Sequence, residues 1–374
     1  MKSEYTINFT SYLPLLAQAR LYLITELFPL LLMELGIMFE IIHGRHNYFF
    51  ALCRAMVFSL TLSLLFSSVS IAKDTATIER KRAIVYALQE SIESHYVETT
   101  LIPGIKAALS DFILSEDKAA NEDEAQFLLE LRSLLKEFDE HFSVSHLPET
   151  TPNKVEKLSW FERLAQDNYG FTRIEKRDNN IGLIDFWGFA DATQAARQSV
   201  KEKLESLQGV KGLIIDLRNN GGGSAQMVQY ISSFFLAGKV HLNSFYSRSS
   251  EQTQDFYTFE LIDYPAFERI PIVILISNKT FSAAEEFAYT FKHLNRAVII
   301  GEPSKGGANP WQYFNLPLLE ETKPGIRVAI PTAKAINPIT QQNWEGKGVQ
   351  PHQLVESESA EEIAQSMLLR KMRW

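Results

Sequence analysis

The sequence lacks the features that mark several classes of protein. It has a single cysteine among 374 residues, Cys53, which lies upstream of the predicted folded region, so disulfides, thiolate catalysis and a cysteine zinc site are excluded. Lys and Arg number 37 against 45 Asp and Glu, for a net charge of -8, and no basic cluster is present. Binding to a phosphate backbone depends on such a cluster, so a nucleic-acid partner is not expected.

Internal repeats, low-complexity tracts and a proline-rich linker are also missing. The composition, 45% hydrophobic and 22% charged, is typical of a globular protein. At roughly 100–200 residues per domain, the length indicates two or three domains.

The N-terminal part of the chain has the pattern of a secretory signal. Residues 55–66 form an apolar run after Arg45, His46 and Arg54, and small residues follow up to Ala72. A basic region, an apolar stretch of about a dozen residues and a small-residue cleavage site are typical of such signals. We therefore predict an export segment over residues 1–72, cleaved near Ala72, and a periplasmic or extracellular protein. An uncleaved anchor is the alternative, and it would be the only membrane contact.

Two apolar patterns divide the rest of the chain. Residues 73–160 show helical spacing, which predicts a small N-terminal helical domain. Residues 161–374 show short apolar runs between helical segments, which predict the buried strands of an α/β domain. These runs are Ile181–Trp187, Gly212–Leu217, Ile272–Ile276, Ala297–Ile300 and Ile326–Ile330.

A glycine-rich turn follows one of these runs directly, at Gly221, Gly222 and Gly223. Without Cβ atoms, such a turn lets backbone N–H groups approach a ligand closely, as anion sites and oxyanion holes require. A tight turn from strand to helix explains the same residues equally well.

Ser282 stands at the predicted start of a helix after another run. Its own N–H and the next one have no partner within the helix, and the helix dipole favours a developing oxyanion. Ser282 and Glu285 also fit an ordinary capping box, so an N-cap and a nucleophile are both open interpretations. The combination with the glycine turn favours the nucleophile.

Three motifs together resemble one peptidase family. They are Leu-Arg-Asn-Asn-Gly-Gly-Gly at 217–223, Phe-Ser-Ala-Ala-Glu at 281–285 and Gly-Glu-Pro-Ser-Lys-Gly-Gly at 301–307. In order and separation they resemble the carboxyl-terminal processing, or tail-specific, serine peptidases. Gly307 stands where the processing proteases carry a lysine base, so the branch of tricorn protease and the bacterial relatives of interphotoreceptor retinoid-binding protein is the most similar. Residues 142–180 are too few for the PDZ domain of the processing proteases.

The resemblance implies a crotonase-like ββα core with a helical bundle before it, and a Ser/His/Glu triad. Ser282 would be the nucleophile, His141 the base and Glu345 the group that orients it. The same resemblance implies oxyanion donors from a small set of N–H groups, namely those of Ala283 and of Gly222 or Gly223.

Several alternatives to this triad stay open. His146 is a second candidate for the base. Glu345 also fits an ordinary loop carboxylate that pairs with the charge of Lys347. Lys305 lies two residues before the lysine position of the processing proteases. The chain also departs from its relatives at three positions, with Glu140 in place of a serine, Asn309 in place of a frequent histidine and His352 in place of the usual aspartate.

We therefore predict an exported serine peptidase that hydrolyses peptide bonds through an acyl-enzyme. Its partners would be peptide or protein substrates, and no metal or organic cofactor is expected. The alternative is a non-catalytic binder of apolar ligands, such as a retinoid or a fatty acid, because a fold alone does not determine function.

Overall fold

The computed structural model describes Ser59 and residues 77–114, 123–148, 158–260, 267–318 and 324–372. Apart from Ser59, the predicted export segment and its cleavage position lie outside these residues. Among the residues described, no helix is both long and apolar enough to cross a membrane. Ala76–Trp374 form one compact unit.

The helices and strands of the described residues follow in chain order. The helices are α1 (77–95), α2 (Ile102–Leu114), α3 (Glu124–Lys136), α4 (Trp160–Gln166), α5 (Gln194–Glu205), α6 (Ala225–Ser232), α7 (Ala283–His293) and α8 (Ala360–Lys371). The strands are β1 (Ser143–His146), β2 (Phe171–Lys176), β3 (Ile181–Phe186), β4 (Gly212–Asp216), β5 (His241–Ser247), β6 (Gln252–Tyr257), β7 (Ile272–Ile276), β8 (Ala297–Gly301), β9 (Trp311–Asn315), β10 (Ile326–Pro331), β11 (Ala333–Ile336) and β12 (Gln353–Leu354).

A six-stranded sheet forms the centre of the α/β part, in the order β12-β8-β7-β4-β3-β2. Its strands are parallel except for the antiparallel pair of β2 and β3. Successive side chains of a strand point to opposite faces. Ile214 packs with Leu368 of α8 on one face, whereas Ile215 packs with Met227 of α6 and Phe287 of α7 on the other. Both faces are covered, which explains why the strands read as continuous apolar runs.

Three neighbouring strands bring the three sequence motifs to one edge of this sheet. β4, β7 and β8 are adjacent and parallel, so their carboxyl ends point the same way. The glycine turn follows β4, the Ser282 turn follows β7, and the loop 301–307 begins at the last residue of β8. Ligands of open α/β sheets commonly bind at the carboxyl ends of the strands.

The helical region packs on a small antiparallel sheet of order β1-β10-β9. Leu88 and Leu131, from α1 and α3, share a core with Val144 of β1 and Val328 of β10. Val144 and Val328 are also direct partners in the sheet. The apolar run 326–330 is therefore a strand, as predicted, but it belongs to this small sheet and not to the six-stranded one. β5, β6 and β11 form a third sheet of three antiparallel strands.

Candidate active site

The glycine turn and the turn that carries Ser282 lie against each other. The N–H of Phe281 donates to the carbonyl oxygen of Asn220 at 3.0 Å. Gly222 has a φ of 90°, and a Cβ atom there would lie 2.7 Å from the carbonyl oxygen of Phe281 and 2.9 Å from the Cβ of Ser282. Its backbone conformation and this close approach both require glycine at position 222.

Ser282 holds a strained backbone conformation directly before α7. Its φ of 55° and ψ of -118° lie where residues other than glycine are seldom found, at a cost of order 1–3 kcal/mol. Glu285 accepts the Ser282 N–H at 2.8 Å, while the Ser282 hydroxyl faces His141. A sharp, strained turn from strand to helix that presents a serine hydroxyl is typical of a nucleophile elbow.

Glu285 ties this turn to the loop that follows β8. Its side chain is fully buried and accepts hydrogen bonds from the N–H groups of Gly306 at 2.7 Å and Gly307 at 2.9 Å, and from the hydroxyl of Ser304 at 2.5 Å. Burial raises the pKa of Glu285 to about 7, and these donors oppose the shift. One carboxyl group thus fixes the Ser282 turn against its neighbouring loop.

His141 reaches Ser282 from the turn between α3 and β1. It is 7% exposed and places Nε2 3.3 Å from the Ser282 Oγ. Its ring packs on that of Phe281, with 4.7 Å between the centroids. Gly307 lies against the same two rings, since a Cβ atom there would come 2.2 Å from the Phe281 ring and 2.8 Å from the His141 Cε1. This packing leaves no space for a lysine side chain at position 307.

Two carboxyl groups lie close to His141. Asp139 Oδ1 is 3.7 Å from His141 Nδ1, and Glu345 offers an oxygen within 4.8 Å of ligand-type atoms of both residues. Glu345 Oε2 accepts the N–H groups of Ala308 at 2.6 Å and Asn309 at 3.2 Å. Burial raises the pKa of Glu345 to about 8, and the like charge of Asp139 adds to the shift. Within the described part of the chain, His141 Nδ1 and Glu345 Oε1 have no hydrogen-bond partner.

The N–H groups expected to receive an oxyanion differ in availability. The Gly222 N–H donates to the side-chain oxygen of Asn220 at 2.9 Å. Those of Gly223 and Ala283 make no hydrogen bond to any residue that the structure describes. Gly223 has a φ of 143°, and a Cβ atom there would lie 2.0 Å from a neighbouring carbonyl oxygen. The available donors next to the Ser282 turn are therefore those of Gly223 and Ala283.

His146, the second candidate for the base, lies in a different environment. Its Nε2 contacts the Glu124 carboxylate at 2.9 Å, and its side chain is 36% exposed. The structure thus brings His141, and not His146, to Ser282.

Lys305 is directed away from the serine. Its Nζ pairs with Glu140 at 3.2 Å, with 40% of the side chain exposed, and lies 5.0 Å from the centroid of the Phe281 ring. No contact between Lys305 and Ser282 occurs among the described residues, so the geometry gives no support to a Ser/Lys pair.

Asp139 is the site residue that the sequence analysis did not single out. The available signal was its position two residues before His141, whose backbone N–H donates to Asp139 Oδ1 at 3.0 Å. Asp139, His141 and Glu345 are also residue types that bind metal ions, with ligand atoms within 4.8 Å of one another. The contact between His141 and Ser282 favours proton transfer as the use of this cluster.

Part of the chain that forms this site is similar to a known protein family. Residues 180–355 match the profile of Peptidase family S41. Over this segment, the chain is similar to peptidase family S41. The S41 segment extends from β3 to β12, so it includes the glycine turn, Ser282 and Glu345, whereas Asp139 and His141 precede it.

The individual relatives align over part of their length. Carboxy-terminal processing protease CtpA of Bacillus subtilis (strain 168) is 30% identical over 133 residues, 35% of this chain and 27% of that protein. Carboxyl-terminal-processing peptidase 2, chloroplastic, of Arabidopsis thaliana is 32% identical over 138 residues, 36% of this chain and 25% of that protein. The chain thus spans about a quarter of the length of these curated relatives.

A solved structure confirms the α/β fold. It is that of a candidate peptidase from Parabacteroides merdae ATCC 43184, with a TM-score of 0.56 and 19% identity. The match covers 78% of this chain and 97% of that chain.

Proposed function

We propose that this chain is a serine peptidase that hydrolyses peptide bonds through an acyl-enzyme on Ser282. The observation that carries the proposal is the 3.3 Å separation between Ser282 Oγ and His141 Nε2. A serine hydroxyl is a weak nucleophile until an adjacent base takes its proton, and an imidazole is suited to that task near neutral pH. The S41 family match supports the same reaction class.

The proposed reaction begins when Ser282 Oγ attacks the carbonyl carbon of a peptide bond and His141 Nε2 takes the hydroxyl proton. The developing oxyanion accepts hydrogen bonds from the N–H groups of Gly223 and Ala283, at the positive end of the α7 dipole. His141 then gives its proton to the leaving amine, and the acyl group stays on Ser282. Water, deprotonated by the same imidazole, hydrolyses the ester.

Glu345 is the orienting group in this proposal. Its Oε2 holds the N–H groups of Ala308 and Asn309, next to the glycine that lies against the His141 ring. A carboxyl group placed near an imidazole fixes the orientation of the ring.

The test is labelling of the purified chain with a fluorophosphonate probe, followed by peptide mapping and by assay of peptide hydrolysis. We expect an adduct on Ser282 in the wild type, and none in Ser282→Ala or His141→Ala. Ser249→Ala, which removes an exposed serine, should be labelled like the wild type. An adduct that persists in Ser282→Ala, or no adduct together with no hydrolysis, would overturn the proposal.

The alternative, an apolar-ligand binder, gains no support from the cavities found among the described residues. A surface pocket of about 410 Å³ contains Arg173, Glu202 and Lys203 in its lining. An apolar cavity between Phe171 and Phe235 has about 10 Å³, far below the several hundred Å³ typical of a ligand site.

Export is part of the proposal on sequence grounds. It rests on the apolar run 55–66 and the small residues up to Ala72. N-terminal sequencing of the protein recovered outside the cytoplasm should begin near Lys73, and a sequence that begins far upstream would contradict it.

A further inference from the structure

Asp139 is a buried carboxylate next to His141 and is held on both oxygens. Its residue is 2% exposed, and its side chain is fully buried. Oδ1 accepts the backbone N–H of His141 at 3.0 Å and lies 3.7 Å from the Nδ1 of the same residue. Oδ2 accepts a hydrogen bond from the Asn309 side chain at 3.0 Å. Both of these hydrogen bonds come from N–H donors.

Glu345 has a different environment. Its Oε2 accepts hydrogen bonds from two backbone N–H groups, and its Oε1 has no hydrogen-bond partner within the geometric limits in the described part of the chain. Two carboxylates this close together in a buried site do not both ionise readily, because like charges repel and water is excluded. Burial, with Asp139 as the nearby like charge, raises the pKa of Glu345 to about 8. Of the two carboxyl groups, Asp139 lies nearer to His141, with Oδ1 3.7 Å from Nδ1.

Asn309 connects the two groups. Its side chain donates to Asp139, and its backbone N–H donates to Glu345. The Asn309 side-chain oxygen has no partner among the residues described, so the amide serves as a donor to Asp139 here.

We propose that Asp139, held in place by Asn309, is a positioning residue that fixes the His141 ring together with Glu345 and supplies a negative charge opposite the imidazolium. This inference rests on the proposed function. It gives Asp139 an electrostatic role beside the orienting role of Glu345.

The surroundings contain few other charges that act on His141. Burial and the neighbouring carboxylates raise the pKa of Tyr96, which keeps its phenol neutral. Lys305 and Glu140 form an ion pair outside the Phe281 ring. Asp139, 3.7 Å from Nδ1, is therefore the carboxyl group nearest to the imidazole among the described residues.

The test uses three variants of the full chain. Asp139→Asn removes the charge. The exchange Asp139→Asn with Asn309→Asp keeps an amide-to-carboxylate hydrogen bond and the net charge, but moves the charge away from His141. Glu345→Gln removes the other carboxyl group. Urea unfolding midpoints establish that each variant is folded, and the exchange variant covers the case in which the single Asp139→Asn chain fails to fold.

The first readout is the pH profile of Ser282 labelling by the fluorophosphonate. Asp139→Asn and the exchange variant should both lose at least about 100-fold in labelling rate at pH 7. Their profiles should shift to lower pH, because the charge that favours the imidazolium is absent. Glu345→Gln should lose less than Asp139→Asn does. Full recovery in the exchange variant, or a larger loss in Glu345→Gln than in Asp139→Asn, would overturn the proposal.

The second readout does not depend on activity. In the Ser282→Ala background, the titration of His141 is followed by NMR, with its signal identified by its loss in His141→Gln. Asp139→Asn should lower the midpoint by about one pH unit, a tenfold change in proton affinity, and Glu345→Gln should shift it much less. If this pattern holds while the wild type is never labelled, the peptidase proposal fails and the role of Asp139 stands. If Asp139→Asn leaves the midpoint unchanged, the proposal for Asp139 is wrong whatever the activity.

Discussion

Replacement of Gly222 by alanine should damage the candidate site more than it damages the fold as a whole. The φ of 90° at this position costs an L-residue about 1–2 kcal/mol. The new Cβ atom would also lie 2.7 Å from the Phe281 carbonyl oxygen, about 0.7 Å inside the 3.4 Å at which ordinary contact begins. The Phe281 N–H is tied to Asn220, so the Ser282 turn must move to relieve the contact. A displacement approaching 1 Å in a catalytic group costs about 100-fold in rate.

Gly238→Ala is the matched control for this change. Gly238 also has a positive φ, 71°, but a Cβ atom there meets nothing within 4 Å. Urea unfolding should show a loss of about 1–2 kcal/mol for the control and a larger loss for Gly222→Ala. The fluorophosphonate labelling rate should fall about 100-fold in Gly222→Ala alone. Equal effects of the two substitutions on both measurements would refute the reasoning, because backbone strain alone would then explain the loss of stability and the change in labelling rate.

Two further changes test other parts of the structure. Lys305→Ala should keep the labelling rate within about threefold, because an exposed ion pair contributes little; a loss as large as that of Ser282→Ala would restore a Ser/Lys mechanism. Glu361→Gln should reduce stability at pH 7. Burial opposes ionisation of Glu361, but hydrogen bonds from Arg173 and Arg177 lower its pKa from 4.5 to about 2. This contribution, about 1–2 kcal/mol after allowance for partial exposure, is complete above pH 4.5 and disappears as the pH falls towards 2. Urea unfolding between pH 7 and 3 should therefore show the two chains converging, and a constant difference would contradict the assignment.

The strands of the central sheet could be predicted from the sequence because they are buried on both faces. The run Ile272–Ile276 has the same limits in the sequence and in the structure. Each face of this strand packs in a hydrophobic core, so every position requires an apolar residue. The run at 326–330 identified a strand but not its sheet. Apolar residues indicate burial, whereas the partner of a strand depends on which segments meet in three dimensions, and β10 pairs with the distant β1.

The site could be predicted to the extent that its motifs are local. Ser282 follows a strand and begins a helix, and both features are readable in the residues around it. The identity of the free oxyanion donors could not be read in this way, because the Gly222 N–H is taken by the side chain of Asn220. The hydrogen bond between Asn309 and Asp139 could not be predicted for a similar reason, because only the folded chain brings these two residues together.

The pairing of β1 with β10 determines when the candidate site can form during synthesis of the chain. Strand β1, which follows the turn that carries His141, pairs with β10. β10 comes after Ser282 in the chain and is therefore synthesised later. A growing chain that ends before this point contains Ser282 but lacks the strand that pairs with β1, next to His141. On the proposed function, Ser282 and His141 can therefore reach their final arrangement only after β10 has been synthesised.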